Sequence, residues 1–277
     1  LDVAFNYVFI YRLHLGVMGA ALGTAVAYIC TSLPITWFAT CRDKILALKW
    51  DRAPFHWVWN YVMKAVKISL PIAVQSILMS GAQIISTIIV APLGNVAIAA
   101  HSFAITAESL CYMPGYGIGD AATTLVGQTF GAGRSALCRS FARLTVGLGM
   151  SVMAAMGAIM YVFAPEMIAL LSPVADIQAL GASVLRIEAF AEPFFAASIV
   201  TYSICVGAGD TLRPAIMNLA SMWCVRLTLA AYLARDYGLR GVWMAMAVEL
   251  TFRGLLFLYR LFRGNWLKAL EEKAPAA

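Results

Sequence analysis

A carboxyl group on a helix that is otherwise apolar across a membrane thickness either has a partner or is kept for exchange, because burying its charge in hydrocarbon is expensive. This sequence holds few such groups, and they are its chemically capable residues. Glu108 is the 13th residue of an apolar run starting at Val96, with no Asp, Glu, Lys or Arg within ten residues. A lone carboxyl there suits reversible proton uptake or cation binding, or a hydrogen bond to a neighbouring helix. Glu188 and Glu192 lie four apart, which in an unbroken helix puts them on one face. Two carboxyls that close titrate as a pair. Pro193 follows and removes a backbone hydrogen bond, loosening the helix at that point. Two acids beside a helix break fit a cation site or a proton relay, or salt bridges to Arg186 or Arg226.

Arg226 stands mid-way along the apolar segment between Pro214 and Ala234. A guanidinium does not release its proton, so Arg226 is a charge clamp rather than a carrier, with an acid of the 179–206 span as its expected partner. Glu249 and Arg253 are an i,i+4 pair with the acid first, the favourable order for a structural ion pair. Asp2 and Asn6 share a face of the opening helix and are further candidates for a cation site. Asp120 lies near the end of its span within reach of water, and His101 reads as a packed or interfacial histidine. Gln75, Gln83, Phe195 and Tyr112 are candidate cargo-lining residues; Gln128 and the other two glutamines could equally bond neighbouring helices.

The elements that carry these residues follow from hydropathy. Of 277 residues, 62% are apolar and 12% charged, and the mean hydropathy is +0.80, whereas a soluble surface needs about a quarter of its residues charged. The charges are clustered. Segments 17–40, 68–107 and 144–165 contain no Asp, Glu, Lys or Arg, and about 20 apolar residues cross a bilayer as a helix. The chain is therefore expected to be an all-α, polytopic bundle. It has a partial helix over 1–11 and seven full spans near 17–40, 68–92, 96–126, 143–164, 179–206, 214–234 and 240–262.

Basic residues favour cytoplasmic loops. With the 41–67 loop inside, fourteen Lys and Arg fall on that side, and only Arg12, Arg235 and Arg240 fall outside. The 41–67 loop is rich in Trp and basic residues, which suits a short interfacial helix near 53–66. An internal echo makes the same loop the expected domain boundary. Gly16-Val17-Met18-Gly19 returns as Gly238-Leu239-Arg240-Gly241, an offset of 222 that also matches Ala25-Val26 with Ala247-Val248. Six spans separate the two copies, as two six-helix halves would require, and repeated halves are usual in secondary transporters. The organisation read from this is the end of a first lobe (1–40), an inter-lobe loop (41–67), a six-helix second lobe (68–263) and a cytoplasmic tail (264–277).

A series of blocks is distinctive. Gly94-Asn95-Val96-Ala97-Ile98-Ala99-Ala100-His101 is followed by Glu108-Ser109-Leu110 and Met113-Pro114-Gly115. Then come Ala121-Ala122-Thr123-Thr124-Leu125-Val126-Gly127-Gln128, Gly131-Ala132-Gly133, Glu192-Pro193-Phe194-Phe195 and Gly207-Ala208-Gly209-Asp210-Thr211-Leu212-Arg213-Pro214. Together they resemble the second half of a transporter of the MATE, or multidrug and toxic compound extrusion, family, from Leu1 to about Arg263. The resemblance implies a twelve-helix, two-lobe exporter of the inner or plasma membrane, functional as a monomer at full length. It would exchange Na⁺ or H⁺ for organic, often cationic, compounds, with no cofactor beyond the coupling ion. By that template the first four helices and part of the fifth lie outside this sequence. Family members with a first-lobe cation site often read Asn-x-x-x-Asp in the opening helix; here the order is Asp2 then Asn6. The two Gly-x-Gly blocks read independently as turns between membrane helices, with Asp210 or Thr211 able to cap the helix that follows.

Other classes are disfavoured. The six cysteines show no C-x-x-C spacing, so neither a disulfide framework nor a metal site is expected. A net charge of +6 confined to short loops does not describe a nucleic-acid surface. No H-E-x-x-H or G-x-S-x-G motif supports an intramembrane enzyme. The competing transporter reading is a flippase of lipid-linked oligosaccharide or a related amphiphile, which should line its cavity with basic residues. Four mid-span acids against Arg186, Arg226 and Arg253 favour a cationic cargo. The orientation is directly testable. In a background without native cysteines, an impermeant thiol reagent applied to intact cells should label a cysteine at position 236 and spare one at 51. The reverse labelling would overturn this topology.

Overall fold

In lipid every backbone N–H and C=O must be satisfied within the chain, which leaves helices as the economical solution for a sequence this apolar. The computed structural model describes residues 1–42, 58–264 and 266, and among them every regular element is helical. The expected interfacial helix near 53–66, the 41–67 loop and the 264–277 tail lie partly outside these residues. The chain divides into two compact units, Leu1–Trp59 and Asn60–Ala277.

In the first unit, α1 (Asp2–Tyr7) continues through a π turn (Val8–Arg12) and reverses into α2 (Gly16–Trp37). The second unit opens with α3 (Trp59–Val90), followed by α4 (Asn95–Gly131) and α5 (Ser135–Ala169). Then come α6 (Ala175–Glu188) and α7 (Glu192–Gly207), which together make one span bent by 59°. Last are α8 (Leu212–Ala220), a π turn (Ser221–Arg226) and α9 (Leu227–Arg263). The helix interior is broken at Gly238, where φ is 58° and ψ −138°. Beyond that residue the chain doubles back, bringing Met246 to Arg226 and Glu249 to Ser221. The segment 212–263 is thus two antiparallel spans, and the described residues hold the expected seven full spans after a partial one.

The helices outrun the hydropathy limits because charged residues near their ends, such as Arg139 and Arg143 of α5, continue the helix without being apolar. The turn after α7 corrects one reading. Neither Asp210 nor Thr211 caps α8, which begins without a side-chain cap. Asp210 instead accepts a hydrogen bond from Arg260 of α9. A charged partner in a partly buried site is a stronger match for a carboxylate than one backbone amide.

The sequence echo has a structural counterpart. Gly16 and Gly238 each open a returning span at positive φ, 54° and 58°, where a non-glycine residue is strained by roughly 1–3 kcal/mol. Gly238→Ala should therefore lower the apparent melting temperature of the detergent-solubilised protein by a few degrees. Gly81→Ala, at a helical glycine in α3 with open space around it, should not. Equal melting of Gly238→Ala and wild type would show that the return does not need this conformation.

Candidate functional site

Glu108 faces inward because it falls in register with a stripe of small buried residues on α4: Ala97, Ala100, Ala104, Ala107 and Cys111. The stripe also carries His101, whose Nδ1 accepts a hydrogen bond from Trp243 Nε1–H at 3.1 Å. An indole only donates, so the proton of a neutral His101 sits on Nε2, which is buried without a partner. His101 is thus a packed residue of the core it shares with Trp243.

Glu188 and Glu192 do not share a helix face. Glu188 ends α6 and Glu192 begins α7, with the 59° bend between them. Pro193 has no N–H to continue the ladder, and Ala191 N–H turns back to Glu188 O at 2.8 Å. The bend nests on α5 at Gly157. A Cβ there would stand 2.8 Å from Ala189 O and 3.1 Å from Glu192 Cβ, so only glycine lets the backbones approach this closely. Both glutamates are fully buried, and none of their four carboxyl oxygens has a hydrogen-bond partner among the described residues. Unpartnered buried carboxyls are rare and ask for an explanation.

The π turn Ser221–Arg226 supplies the opposing charge. An i→i+5 turn brings residues five apart onto one face, so Ser221 and Arg226 both point inward, which a regular helix would not allow. Ser221 Oγ donates to Glu249 Oε1 at 2.6 Å, and Arg253 Nε lies 3.2 Å from the same oxygen. Sequence reasoning found the Glu249–Arg253 pair but missed Ser221, since nothing in the residue types announces a π turn. The expected partner of Arg226 also differs. No carboxylate of the described residues lies within 4.0 Å of it, and its guanidinium touches Met246 Sδ. Glu249, Glu188 and Glu108 act on it only at longer range. Arg186 pairs with neither Glu188 nor Glu192; it is exposed, donating to Tyr161 O at 3.2 Å.

Counting residues along the helices puts these groups at one depth. Glu108 is the 14th residue of α4, Glu188 the 14th of α6, and Arg226 and Glu249 lie 12 and 11 residues from Gly238. At about 1.5 Å per residue each is roughly 16–21 Å below the same side of the bundle. Two cavities open on this layer. One of about 390 Å³ has Gln83, Glu108, Tyr112, Phe195, Arg226 and Arg253 on its wall. The other, about 360 Å³, has Gln75, Tyr116, Asp120, Phe195, Asn218 and Arg253. They share Met79, Tyr116, Phe195 and Arg253 and so form one furrow. Glu188, Glu192 and Glu249 are off its wall. Gln75, Gln83, Phe195 and Tyr112 all border the furrow, whereas Gln128 is exposed elsewhere on α4. In the first unit Asp2 is exposed, and Asn6 packs its side-chain carbonyl against Gly23.

A family model described as MatE matches residues 71–232. The "Probable multidrug resistance protein NorM" of Thermotoga maritima is 27% identical over 256 residues, 92% of this chain and 54% of that relative. The "Multidrug and toxin extrusion protein 1" of Oryctolagus cuniculus is 26% identical, over 96% of this chain and 47% of its own length. The chain thus spans about half the length of these curated relatives. The crystal structure of MATE in complex with MaL6 superposes with a TM-score of 0.86 at 20% identity, covering 99% of this chain and 61% of that one.

Removing one partner of a buried ion pair leaves an uncompensated charge and costs on the order of 3–5 kcal/mol. Glu249→Gln should therefore reduce membrane yield and melting temperature, and Glu249→Gln with Arg253→Met should recover much of the loss. A single variant that melts with the wild type would show that the pair carries no structural weight.

Proposed function

The chain belongs to the MatE family, and on that premise we propose that it is the C-terminal part of a cation-coupled antiporter that exports organic compounds carrying a positive charge. It is a multi-pass protein of the cell membrane. The coupling ion is H⁺ or Na⁺, and the exchange runs through Glu108, Glu188 and Glu192. The observation that carries this reading is the mid-depth layer itself. Three buried carboxyls, two of them with no hydrogen-bond partner among the described residues, share the interior of hydrocarbon-thickness helices with Arg226. Ionisable groups at that depth are kept for transport more often than for stability.

The mechanism follows from differential affinity. Glu108 borders the furrow, so a proton or Na⁺ on its carboxyl removes the charge that holds a cationic cargo. Glu188 and Glu192 lie behind the wall and change the field there as they gain or lose a proton. Arg226 keeps its charge throughout and tilts the balance among the three acids. Gln75, Gln83, Tyr112 and Phe195 supply hydrogen bonds and aromatic faces to the body of the cargo. Asp2 and Asn6, in the first unit, are a second candidate cation site.

Gln keeps the size of Glu but cannot ionise, which separates charge from packing. In the full-length parent, Glu108→Gln and Glu192→Gln should insert normally and lose at least tenfold in ethidium efflux driven by an imposed pH or Na⁺ gradient. Running the two gradients separately identifies the ion. Wild-type rates from both variants would remove these carboxyls from the coupling, and loss in one alone would identify the carrier.

A further inference from the structure

Arg226 is a buried guanidinium that no carboxylate of the described residues contacts. It is 6% exposed, and its Nε is buried with no hydrogen-bond partner among the described residues. Its side chain borders the 390 Å³ cavity, and no acid of the described residues comes within 4.0 Å. None of the acids around it pairs with it directly. Glu249 gives its Oε1 to Ser221 and Arg253, and its Oε2 is buried with no hydrogen-bond partner among the described residues. Glu188 and Glu192 are behind the wall, and Glu108 borders the cavity without pairing. A thioether, Met246 Sδ, is a poor acceptor for a guanidinium. Because arginine cannot discharge itself, a buried, unpaired one beside a cavity calls for an oxyanion from outside the chain.

A second guanidinium borders the same space. Arg253 makes one ion pair, to Glu249, and lies 5.5 Å from the centre of the Phe195 ring. It belongs to both cavities, so the furrow has two cations along one stretch. Its acids, Glu108 and Asp120, stand one in each cavity, and Tyr112, Tyr116 and Phe195 lie between them in edge-to-face contact at 5.7 and 5.8 Å. The combined volume is that of a drug-sized site. The lean toward acids among the mid-span charges is therefore absent from the wall, where two acids face two arginines.

We propose that Arg226 and Arg253 are specificity-determining residues that hold a carboxylate of the cargo, so that this furrow prefers amphoteric compounds over compounds that are only cationic. The inference rests on the antiporter reading and deepens it. The cationic end of the cargo meets Glu108 or Asp120, the aromatic body lies on Tyr112, Tyr116 and Phe195, and the carboxylate completes Arg226. A proton on Glu108 then releases the cationic end alone, so exchange still operates on the amine while the arginines set which compounds are admitted.

Rhodamine 110 and its methyl ester, rhodamine 123, share one cationic fluorophore and differ in a single free carboxylate. With the purified full-length parent, fluorescence anisotropy should give the acid at least a tenfold tighter Kd than the ester. Arg226→Gln should bring that ratio to about one, and Arg226→Lys, which keeps the charge but not the planar fork, should leave an intermediate ratio. Equal affinities in the wild type would overturn the proposal without any variant, so a misfolded Arg226→Gln does not shelter it. A folded Arg226→Gln that retains the tenfold preference would overturn it as well. Gradient-driven efflux of the ester tests the antiporter separately. Efflux with no preference for the acid sinks only the specificity, whereas a tenfold preference with neither dye moved by any gradient sinks the transport reading and leaves the site.

Discussion

Hydrocarbon gives a charged side chain no solvent to fall back on, so each ionisable group in the middle of this bundle is answered by another residue, by a ligand, or by a proton. The second unit is built around that constraint. Above the polar layer lies a core of Ala, Met and Val side chains closed by Trp243; below it lies another, around Val126, Cys138 and Ile204. Glu108, Glu188, Glu192, Arg226, Glu249 and Arg253 sit where neither core would accept them singly. Each is tolerable only where a neighbour, a ligand or a proton answers it.

Bringing them to one layer requires irregular helices. A straight α-helix places charges on a 3.6-residue schedule and leaves adjacent helices to meet as they will. Here three departures from regularity converge on one layer. Pro193 splits a span so that two glutamates four apart in sequence point from different helices. The π turn re-registers the following span so that Ser221 and Arg226 face inward together. Gly238 folds the chain back so that Glu249 arrives opposite Ser221. Gly157 then admits the bend to within backbone contact of α5. Each departure loosens a helix locally and is compensated by a polar contact or by close packing at the same place.

The divide between what the sequence discloses and what it hides follows this distinction. Hydropathy places the spans, because bilayer thickness and apolar run length are the same quantity seen twice. It also puts Glu108 at mid-depth, and i,i+4 spacing finds the Glu249–Arg253 pair, since both depend on a helix being regular. Wherever regularity fails, so does the reading. Glu188 and Glu192 look like one face until Pro193 divides them. Arg226 looks like the partner of an acid on the 179–206 span, but a π turn has no residue signature and decides where the guanidinium goes. Asp210 looks like a cap, yet Arg260, fifty residues later, is the nearer match.

The same distinction separates a charge count from a charge environment. Among the mid-span charges of the second unit, Glu108, Glu188, Glu192 and Glu249 stand against Arg186, Arg226 and Arg253, which taken alone describes a receptor for cations. Burial sorts them differently. Glu188, Glu192 and Glu249 are turned into the packing between helices, while both buried arginines keep contact with the furrow. A cargo meets the wall, not the sum. The hidden acids therefore act on the cargo only through the field they change when they take up or give up a proton, and the wall arginines act on it by contact. Coupling and selectivity are thereby assigned to different side chains of one layer, so either can vary through substitutions that leave the other's residues in place.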